Sequence, residues 1–215
     1  MDKINRYRIK KPECLIEKAN EWTLDWKTRH EQSKGFTWHQ YKKRDCQTII
    51  NKALSKLTDS HCSYCGIYPL GKGQISATID HFKPKSIFLD LAFEWNNLFL
   101  ACGECQKYKG NFFPNDKEQI YRNKHYHANI EPLKPDEIDY SFDYWFKIIW
   151  KTNKIVPNNK RTIPEKKKAI ITIDFFGLNE DGRPQARELE LEKYKGSNNK
   201  LKIEFFSYRF FLTRA

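Results

Sequence analysis

The first part of the chain carries apolar residues with the period of an α-helix. Over residues 13–31, Leu15, Ala19, Trp22 and Trp26 recur every three or four positions, which places their side chains on one face of a helix. This spacing predicts a first helix over residues 13–31 whose apolar face packs into a core.

A second helix is predicted to begin at Thr37, because Thr37-x-x-Gln40 resembles a capping box. One side of this helix would carry five residues, namely Tyr41, Cys46, Ile49, Ala53 and Leu57. Cys46 is therefore interpreted as a small core residue. The pattern assigns no clear structural role to Cys14, and we expect its thiol to be chemically inert.

The pattern changes between residues 61 and 114, where short apolar runs alternate with cysteines, glycines and polar residues. Residues 74–82 and 99–101 are predicted to form short strands. Residues 104–109 are predicted to form a short helix that ends at Gly110, since glycine readily adopts the left-handed conformation that closes many helices.

Beyond about residue 130 the chain returns to longer elements. Apolar and polar residues alternate over residues 140–150, which is typical of a strand, and residues 152–154 offer a turn into a second strand at 155–156. Thr162-x-x-Glu165 predicts the capping box of a helix that ends at Gly177. The phenylalanine-rich tail from Arg187 is predicted to dock a helix onto the core.

Together these patterns predict an α+β protein in three parts. Residues 1–60 would form a helical segment, residues 61–130 a small module, and residues 131–215 an α/β lobe packed on that module. The sequence contains no internal repeat and no low-complexity tract.

The charge of the chain narrows the classes of partner. Its 39 lysines and arginines exceed its 27 acidic residues, for a net charge of +12, which attracts polyanions such as nucleic acid or an acidic membrane surface. Charge alone does not separate such a protein from one that is merely kept soluble by its charge. The sequence has no apolar run of about 20 residues and no apolar stretch typical of a signal peptide. We therefore expect no membrane span and a reducing cytoplasm.

Four of the six cysteines lie in two pairs of identical spacing, Cys62-Ser63-Tyr64-Cys65 and Cys102-Gly103-Glu104-Cys105. Each pair can direct two thiolates at one ion, and the two pairs together complete the tetrahedral shell of a structural Zn²⁺. In a reducing compartment this spacing favours metal over disulfides; the alternative is four reduced, buried cysteines. A closed shell leaves no position for a substrate, so this zinc is predicted to support the fold.

Candidate catalytic residues lie between the two cysteine pairs. Hydrolysis of a phosphodiester requires a base that activates water and a cation near the developing charge. His81 can be the base, because the pKa of an imidazole lies near neutrality. The adjacent Asp80 is a hard oxygen ligand suited to Mg²⁺. An Asp-His pair is weak by itself, and its position between the cysteine pairs strengthens the prediction.

The order CxxC, Asp-His, Trp-x-Asn-Leu, CxxC, Lys-Gly resembles the HNH endonucleases, which have a ββα-metal fold. More narrowly, it resembles the HNH proteins of retrons and of Septu-type antiphage systems. Residues 80–85 match their Asp/Glu-His-Phe-x-Pro-Lys stretch, and residues 105–111 match their Cys-Asn-x-x-Lys-Gly-Asn ending except at Gln106. The close resemblance covers about a quarter of the chain, and a looser one extends over residues 155–178.

The resemblance implies a role for each matching residue. His81 would be the general base, and Asp80 would bind the catalytic Mg²⁺ or Mn²⁺. Asn97, rather than Asn96, would be the middle residue of the motif and orient His81 through its amide. Lys109 would contact the substrate phosphate or support the loop.

The resemblance further implies a nuclease that acts on nucleic acid, with DNA favoured over RNA, in antiphage defence. It also implies an ABC-type ATPase as partner, and the chain itself has no GxxxxGK[ST] loop for ATP hydrolysis. Gln106 stands where the family has His or Asn as its last metal ligand, and this departure favours one alternative, a non-catalytic zinc-containing subunit that binds nucleic acid. A second alternative is a toxin subunit that a partner keeps silent.

Overall fold

A computed structural model describes residues 1–73, 75–180, 182–197 and 202–215, and within them helices alternate with two-stranded hairpins. The helices are α1 (Glu13–Glu31), α2 (Cys46–Thr58), α3 (Gly103–Lys109), α4 (Phe142–Trp145), α5 (Ile163–Phe175), α6 (Arg183–Gly196) and α7 (Arg209–Leu212). The strands are β1 (Gln40–Tyr41), β2 (Arg44–Asp45), β3 (Ala77–His81), β4 (Leu98–Cys102), β5 (Gln119–Tyr121), β6 (Lys124–Tyr126), β7 (Phe146–Ile149) and β8 (Lys154–Pro157). The strands form four separate antiparallel pairs, β1–β2, β3–β4, β5–β6 and β7–β8. This mixture of helices and antiparallel hairpins agrees with the predicted α+β class.

The first predicted helix is confirmed, because α1 covers residues 13–31 and buries Leu15, Trp22 and Trp26. The predicted start of the second helix at Thr37 is wrong. Residues 40–45 instead form the small β1–β2 hairpin, whose turn residues Lys42 and Lys43 have left-handed φ values of 48° and 62°.

Helix α2 begins only after this hairpin. The Asp45 side chain accepts hydrogen bonds from the backbone N–H groups of Gln47 and Thr48, so Asp45 takes the capping role that the sequence had assigned to Thr37. Cys46 lies at the first position of the helix and is fully buried, as expected of a core residue.

A ββα unit occupies the middle of the chain. Strands β3 and β4 pair in the register Ala77↔Cys102 to His81↔Leu98, and α3 follows β4 directly. The two predicted strands and the short helix are therefore confirmed, but the first strand covers only Ala77–His81 of the predicted 74–82. Gln74 lies outside the described residues. Helix α2 packs against both strands. Every residue of β4 is buried, and β3 is buried over its last three residues, which include Asp80 and His81.

The continuous strand predicted over residues 140–150 is wrong in its first half, where α4 forms a helical turn before β7 begins. Phe142 and Phe146 are both buried, whereas Tyr144 between them is exposed, so the alternate burial expected of a strand is broken here. The Asn158 side-chain amide donates to the backbone carbonyls of Asp143 and Tyr144. This contact satisfies carbonyl groups at the end of the turn.

The C-terminal helices follow the predicted pattern. Helix α5 begins after Thr162, whose backbone N–H donates to the Glu165 side chain at 2.8 Å, and ends before Gly177. Gly177 has a φ of 58°, and a Cβ atom there would lie 2.8 Å from the Tyr108 ring, so only glycine fits between α5 and α3. In the tail, α7 buries Phe210 and Phe211 in the core. Among the described residues, no helix has both the length and the apolar character that crossing a membrane would require.

Candidate active site

The four paired cysteines come together in the fold. Cys62, Cys65, Cys102 and Cys105 are buried, and their sulfur atoms all lie within 4.8 Å of one another. The Sγ atoms of Cys65 and Cys102 are 3.7 Å apart. A tetrahedral Zn²⁺ with bonds of about 2.3 Å to sulfur has S–S edges of about 3.8 Å, so the cluster fits the size and donor chemistry of a structural zinc.

The backbone orients these sulfurs as well. The N–H of Cys102 points at the Cys62 sulfur, and the N–H of Cys105 points at the Cys102 sulfur, as expected of thiolates that are fixed by a second layer of hydrogen bonds. Gly66 turns the chain after the first pair with a φ of 79°, and a Cβ atom there would press on the Phe210 ring at 3.1 Å.

Two neighbours of the cluster do not complete its shell. The two ring nitrogens of His61 lie 2.9 Å from the Asp59 carbonyl and 3.0 Å from the Phe206 carbonyl, so the ring is directed at the backbone and not at the cysteine cluster. Burial lowers the pKa of the Arg183 guanidinium, but the four cysteine sulfurs raise it more, so that the net shift is upward. A cation at this position offsets the negative charge of four thiolates.

Asp80 is fixed on β3 by two buried partners. The Tyr64 hydroxyl donates to Asp80 Oδ2 at 2.7 Å, and the Lys109 ammonium lies 3.2 Å from Oδ1. The Asp80 side chain is nearly inaccessible to solvent. Burial raises the pKa of Asp80, and the neighbouring Lys109 and Tyr64 offset only part of that shift.

His81 has a defined tautomer and a defined charge. Its Nε2 atom lies 2.9 Å from the backbone carbonyl of Ala92. Because a carbonyl oxygen only accepts, Nε2 must carry the hydrogen, and Nδ1 keeps its lone pair. Burial, followed by the positive charge of Lys85, lowers the pKa of His81 to about 3. The ring is therefore neutral near pH 7.

Two aromatic rings from the segment between α1 and β1 cover His81. Phe36 meets its ring edge-on with centroids 5.6 Å apart, and Trp38 lies nearly parallel to it at 5.9 Å. His81 is only 6% exposed as a result. We refer to Phe36 and Trp38 as the aromatic cover.

Asn97 is buried on the loop between β3 and β4, whereas Asn96 is exposed. The Asn97 amide donates to the carbonyls of Lys83 and Leu91, and its oxygen accepts from the Lys83 N–H. Its side chain bonds the loop rather than the imidazole, and Leu91 directly precedes Ala92, the partner of His81. Any effect of Asn97 on the orientation of His81 therefore passes through the loop.

Helix α3 is joined to β3 by two polar side chains. Gln106 donates through Nε2 to the Ile79 carbonyl at 3.4 Å. The Lys109 ammonium donates to the His81 carbonyl at 2.7 Å in addition to Asp80. Lys109 is 1% exposed, a position that supports the strand and does not reach a phosphate in solvent.

Asp80 and Gln106 carry oxygen atoms of the kind that bind a hard cation. A carboxylate has about four acceptor sites, of which the contacts with Tyr64 and Lys109 use two. The Gln106 amide oxygen accepts no hydrogen bond within the described part of the chain. One carboxylate and one neutral amide oxygen suit Mg²⁺, which usually keeps several water ligands.

Three residues at the site were not singled out from the sequence. Tyr64 lies inside the first CxxC pair, and the spacing of the cysteines gives no indication of its hydrogen bond to Asp80. Phe36 and Trp38 belong to an aromatic segment, Gly35-Phe36-Thr37-Trp38, that was interpreted as a helix start. The aromatic residues beside a glycine are the sequence signal by which this contact with His81 could have been found.

Comparison with known proteins agrees with this arrangement. A family model described as HNH endonuclease matches residues 62–112, the segment with both cysteine pairs, β3, β4 and α3. No curated protein matches the chain. The match covers about a quarter of the 215 residues, and it supports an HNH domain with nuclease activity in this part of the protein.

Proposed function

We propose that this chain is a metal-dependent HNH endonuclease that hydrolyses phosphodiester bonds in nucleic acid, with DNA preferred over RNA. The observation that carries the proposal is His81 itself. It lies on the ββα unit of an HNH segment, is neutral, and keeps a lone pair on Nδ1.

In this mechanism His81 is the general base. A water molecule loses its proton to Nδ1 as its oxygen attacks the phosphorus, and the bond from phosphorus to the leaving sugar oxygen breaks as that oxygen takes up a proton from solvent water. The Nε2–H bond to the Ala92 carbonyl steadies the imidazolium that forms. Asn97 holds the loop that carries this carbonyl. Asp80 and Gln106 would hold a divalent cation, which would supply positive charge against the phosphate.

In this mechanism Lys109 positions the catalytic residues of β3. Its ammonium pairs with Asp80 and bonds the His81 carbonyl, so it keeps both residues of the Asp-His pair in place. The structural Zn²⁺ of the cysteine cluster would fix the ends of β4 and α3 without taking part in the chemistry.

The first experiment separates the nuclease from the alternative, a zinc-containing subunit that binds nucleic acid without cutting it. Purified full-length chain is incubated with supercoiled plasmid, and in parallel with RNA, in Mg²⁺, in Mn²⁺ and in a chelator too weak to remove the structural zinc. We expect nicking of the plasmid that requires the added cation. Binding without nicking in either cation would favour the alternative.

The aromatic cover favours a nuclease that rests in a closed state. A pKa of about 3 makes His81 a weak base, since a general base works best with a pKa near the operating pH. Displacement of Phe36 and Trp38 would hydrate the imidazole and raise its pKa toward the ordinary value. This closed state supports the second candidate, a toxin subunit that a partner keeps silent, and the isolated chain is then expected to cleave slowly rather than not at all.

We further propose that the protein acts in the cytoplasm in antiphage defence, as a retron- or Septu-type effector with an ABC-type ATPase as partner. The support is the resemblance of residues 80–85 and 105–111 to such proteins, together with thiols that must stay reduced to bind zinc. Co-purification with the product of a neighbouring ATPase gene tests the partnership, and separate elution of the two proteins would contradict it.

The role of Gln106 is tested by its metal dependence. If its amide oxygen binds the catalytic cation, Gln106→Ala will require more Mg²⁺ for half-maximal cleavage, and Gln106→Asn will keep Mg²⁺ activity. Gln106→His will shift preference toward Mn²⁺ or Ni²⁺, because imidazole favours transition metals. Identical metal titrations for the four proteins would show that Gln106 does not bind the ion.

A further inference from the structure

The β5–β6 hairpin carries two histidines and a glutamate on one face, outside the segment that matches the HNH family. The strands pair as Gln119↔Tyr126 and Ile120↔His125. Continuing this register by one residue places Glu118 opposite His127. Since side chains two residues apart on a strand share a face, His125, His127 and Glu118 lie together.

The distances between their ligand atoms are those of a metal site. Glu118 Oε2 lies 3.0 Å from His125 Nε2 and 3.4 Å from His127 Nδ1, and all three ligand atoms are within 4.8 Å of one another. A tetrahedral Zn²⁺ with bonds of about 2.05 Å to nitrogen and oxygen has ligand–ligand edges of about 3.3 Å. Small rotations of the side chains would bring the triad to that geometry.

The carboxylate is already oriented toward the imidazoles. Glu118 Oε1 accepts the backbone N–H of Ala128 at 3.2 Å, which leaves Oε2 directed at both rings. A ligand fixed by a second hydrogen bond loses less freedom when it binds a metal.

The hairpin beneath the triad is anchored in the core. Tyr126 is buried, and Tyr121 stacks on Phe112 with ring centroids 4.3 Å apart. The triad itself faces solvent, because the Glu118 and His125 side chains are each about half exposed. A cation can therefore enter from solvent, and three protein ligands leave at least one position open.

We propose that Glu118, His125 and His127 form a second metal site, which binds a divalent transition cation such as Zn²⁺ and leaves a coordination position open to water or an anionic ligand. Two imidazoles select Zn²⁺, Ni²⁺ or Co²⁺ over Mg²⁺ and Ca²⁺, which prefer oxygen ligands. The site is separate from the cysteine cluster and from Asp80 and Gln106.

The test is calorimetric titration of the full-length, zinc-loaded chain with Zn²⁺. The His125→Ala/His127→Ala variant is expected to bind one equivalent fewer than wild type and to keep its cysteine-bound zinc. Glu118→Gln, which preserves size and the bond to Ala128, is expected to bind this equivalent more weakly. His30→Ala removes an exposed imidazole elsewhere and is expected to match wild type.

Thermal unfolding, measured in parallel, shows whether each variant is folded. Added Zn²⁺ is expected to raise the melting temperature of wild type and of His30→Ala but not of the double variant, because a ligand stabilises only the fold that binds it. The proposal is overturned if the double variant and Glu118→Gln both bind Zn²⁺ with the wild-type stoichiometry and affinity. It is also overturned if wild type takes up no Zn²⁺ that these variants lack.

Discussion

Replacing Cys105 with serine is expected to unfold the central module. Structural zinc contributes an apparent binding free energy of about 10–16 kcal/mol in small zinc domains, whereas a whole domain is stable by only about 5–15 kcal/mol. Cys105 lies in the first turn of α3, and its backbone N–H donates to the Cys102 sulfur. The Cys105→Ser protein should lose both its tightly bound zinc and its cooperative unfolding transition.

The matched control is Cys14→Ser, which makes the same change at a buried cysteine outside the cluster. Metal analysis and thermal unfolding of both variants give the comparison. Cys14→Ser should keep the zinc and a cooperative unfolding transition, with a smaller loss of stability from placing a hydroxyl group beside the buried Cys46 thiol. A folded Cys105→Ser protein with the zinc content and melting temperature of wild type would contradict the assignment of the cluster.

Replacing Lys109 with methionine is expected to lower the free energy of unfolding by about 3–5 kcal/mol, the usual cost of leaving one partner of a buried ion pair without the other. The Asp80–Lys109 pair is almost fully buried. Without the ammonium, burial raises the pKa of Asp80 still further above its unfolded value. The loss should therefore be greatest at neutral pH and shrink as pH falls and the carboxyl group becomes protonated.

Denaturant unfolding at several pH values measures this effect. Lys107→Met is the matched control, because Lys107 lies on the same helix but is exposed. The Asp80→Asn/Lys109→Met double variant should recover part of the lost stability, since it removes the unpaired charge. If Lys109→Met were as stable as Lys107→Met at pH 7, the buried pair would not be a determinant of the fold.

Local sequence patterns were sufficient to predict the elements whose stabilising contacts lie between residues close in sequence. The helical period of α1 and the Thr162–Glu165 capping box are such cases, because their contacts lie within a few residues. The start of α2 was missed because Lys42 and Lys43 adopt left-handed backbone, for which lysine has no particular preference. The α4 turn was missed because alternating residues also fit a helix when positions four apart are buried.

The same distinction between local sequence patterns and tertiary contacts applies to the candidate active site. The spacing of the cysteines was enough to predict their cluster, and Asp80 and His81 lie on a strand that the sequence predicted. Their partners could not be predicted, because Tyr64, Phe36 and Trp38 reach them only through tertiary packing. The catalytic roles of Asp80, His81 and Gln106 stay predictions until cleavage is measured.

The central claim is that His81 activates water in a nuclease reaction, and single-turnover cleavage of end-labelled DNA tests it most directly. Wild type, His81→Ala and the control His30→Ala are compared at equal zinc content, with the enzyme in excess and Mg²⁺ or Mn²⁺ present. We expect His81→Ala to cleave at least about a hundredfold more slowly, the usual scale for loss of a general base, and His30→Ala to keep the wild-type rate. Cleavage by folded, zinc-loaded His81→Ala at the wild-type rate would contradict the central claim.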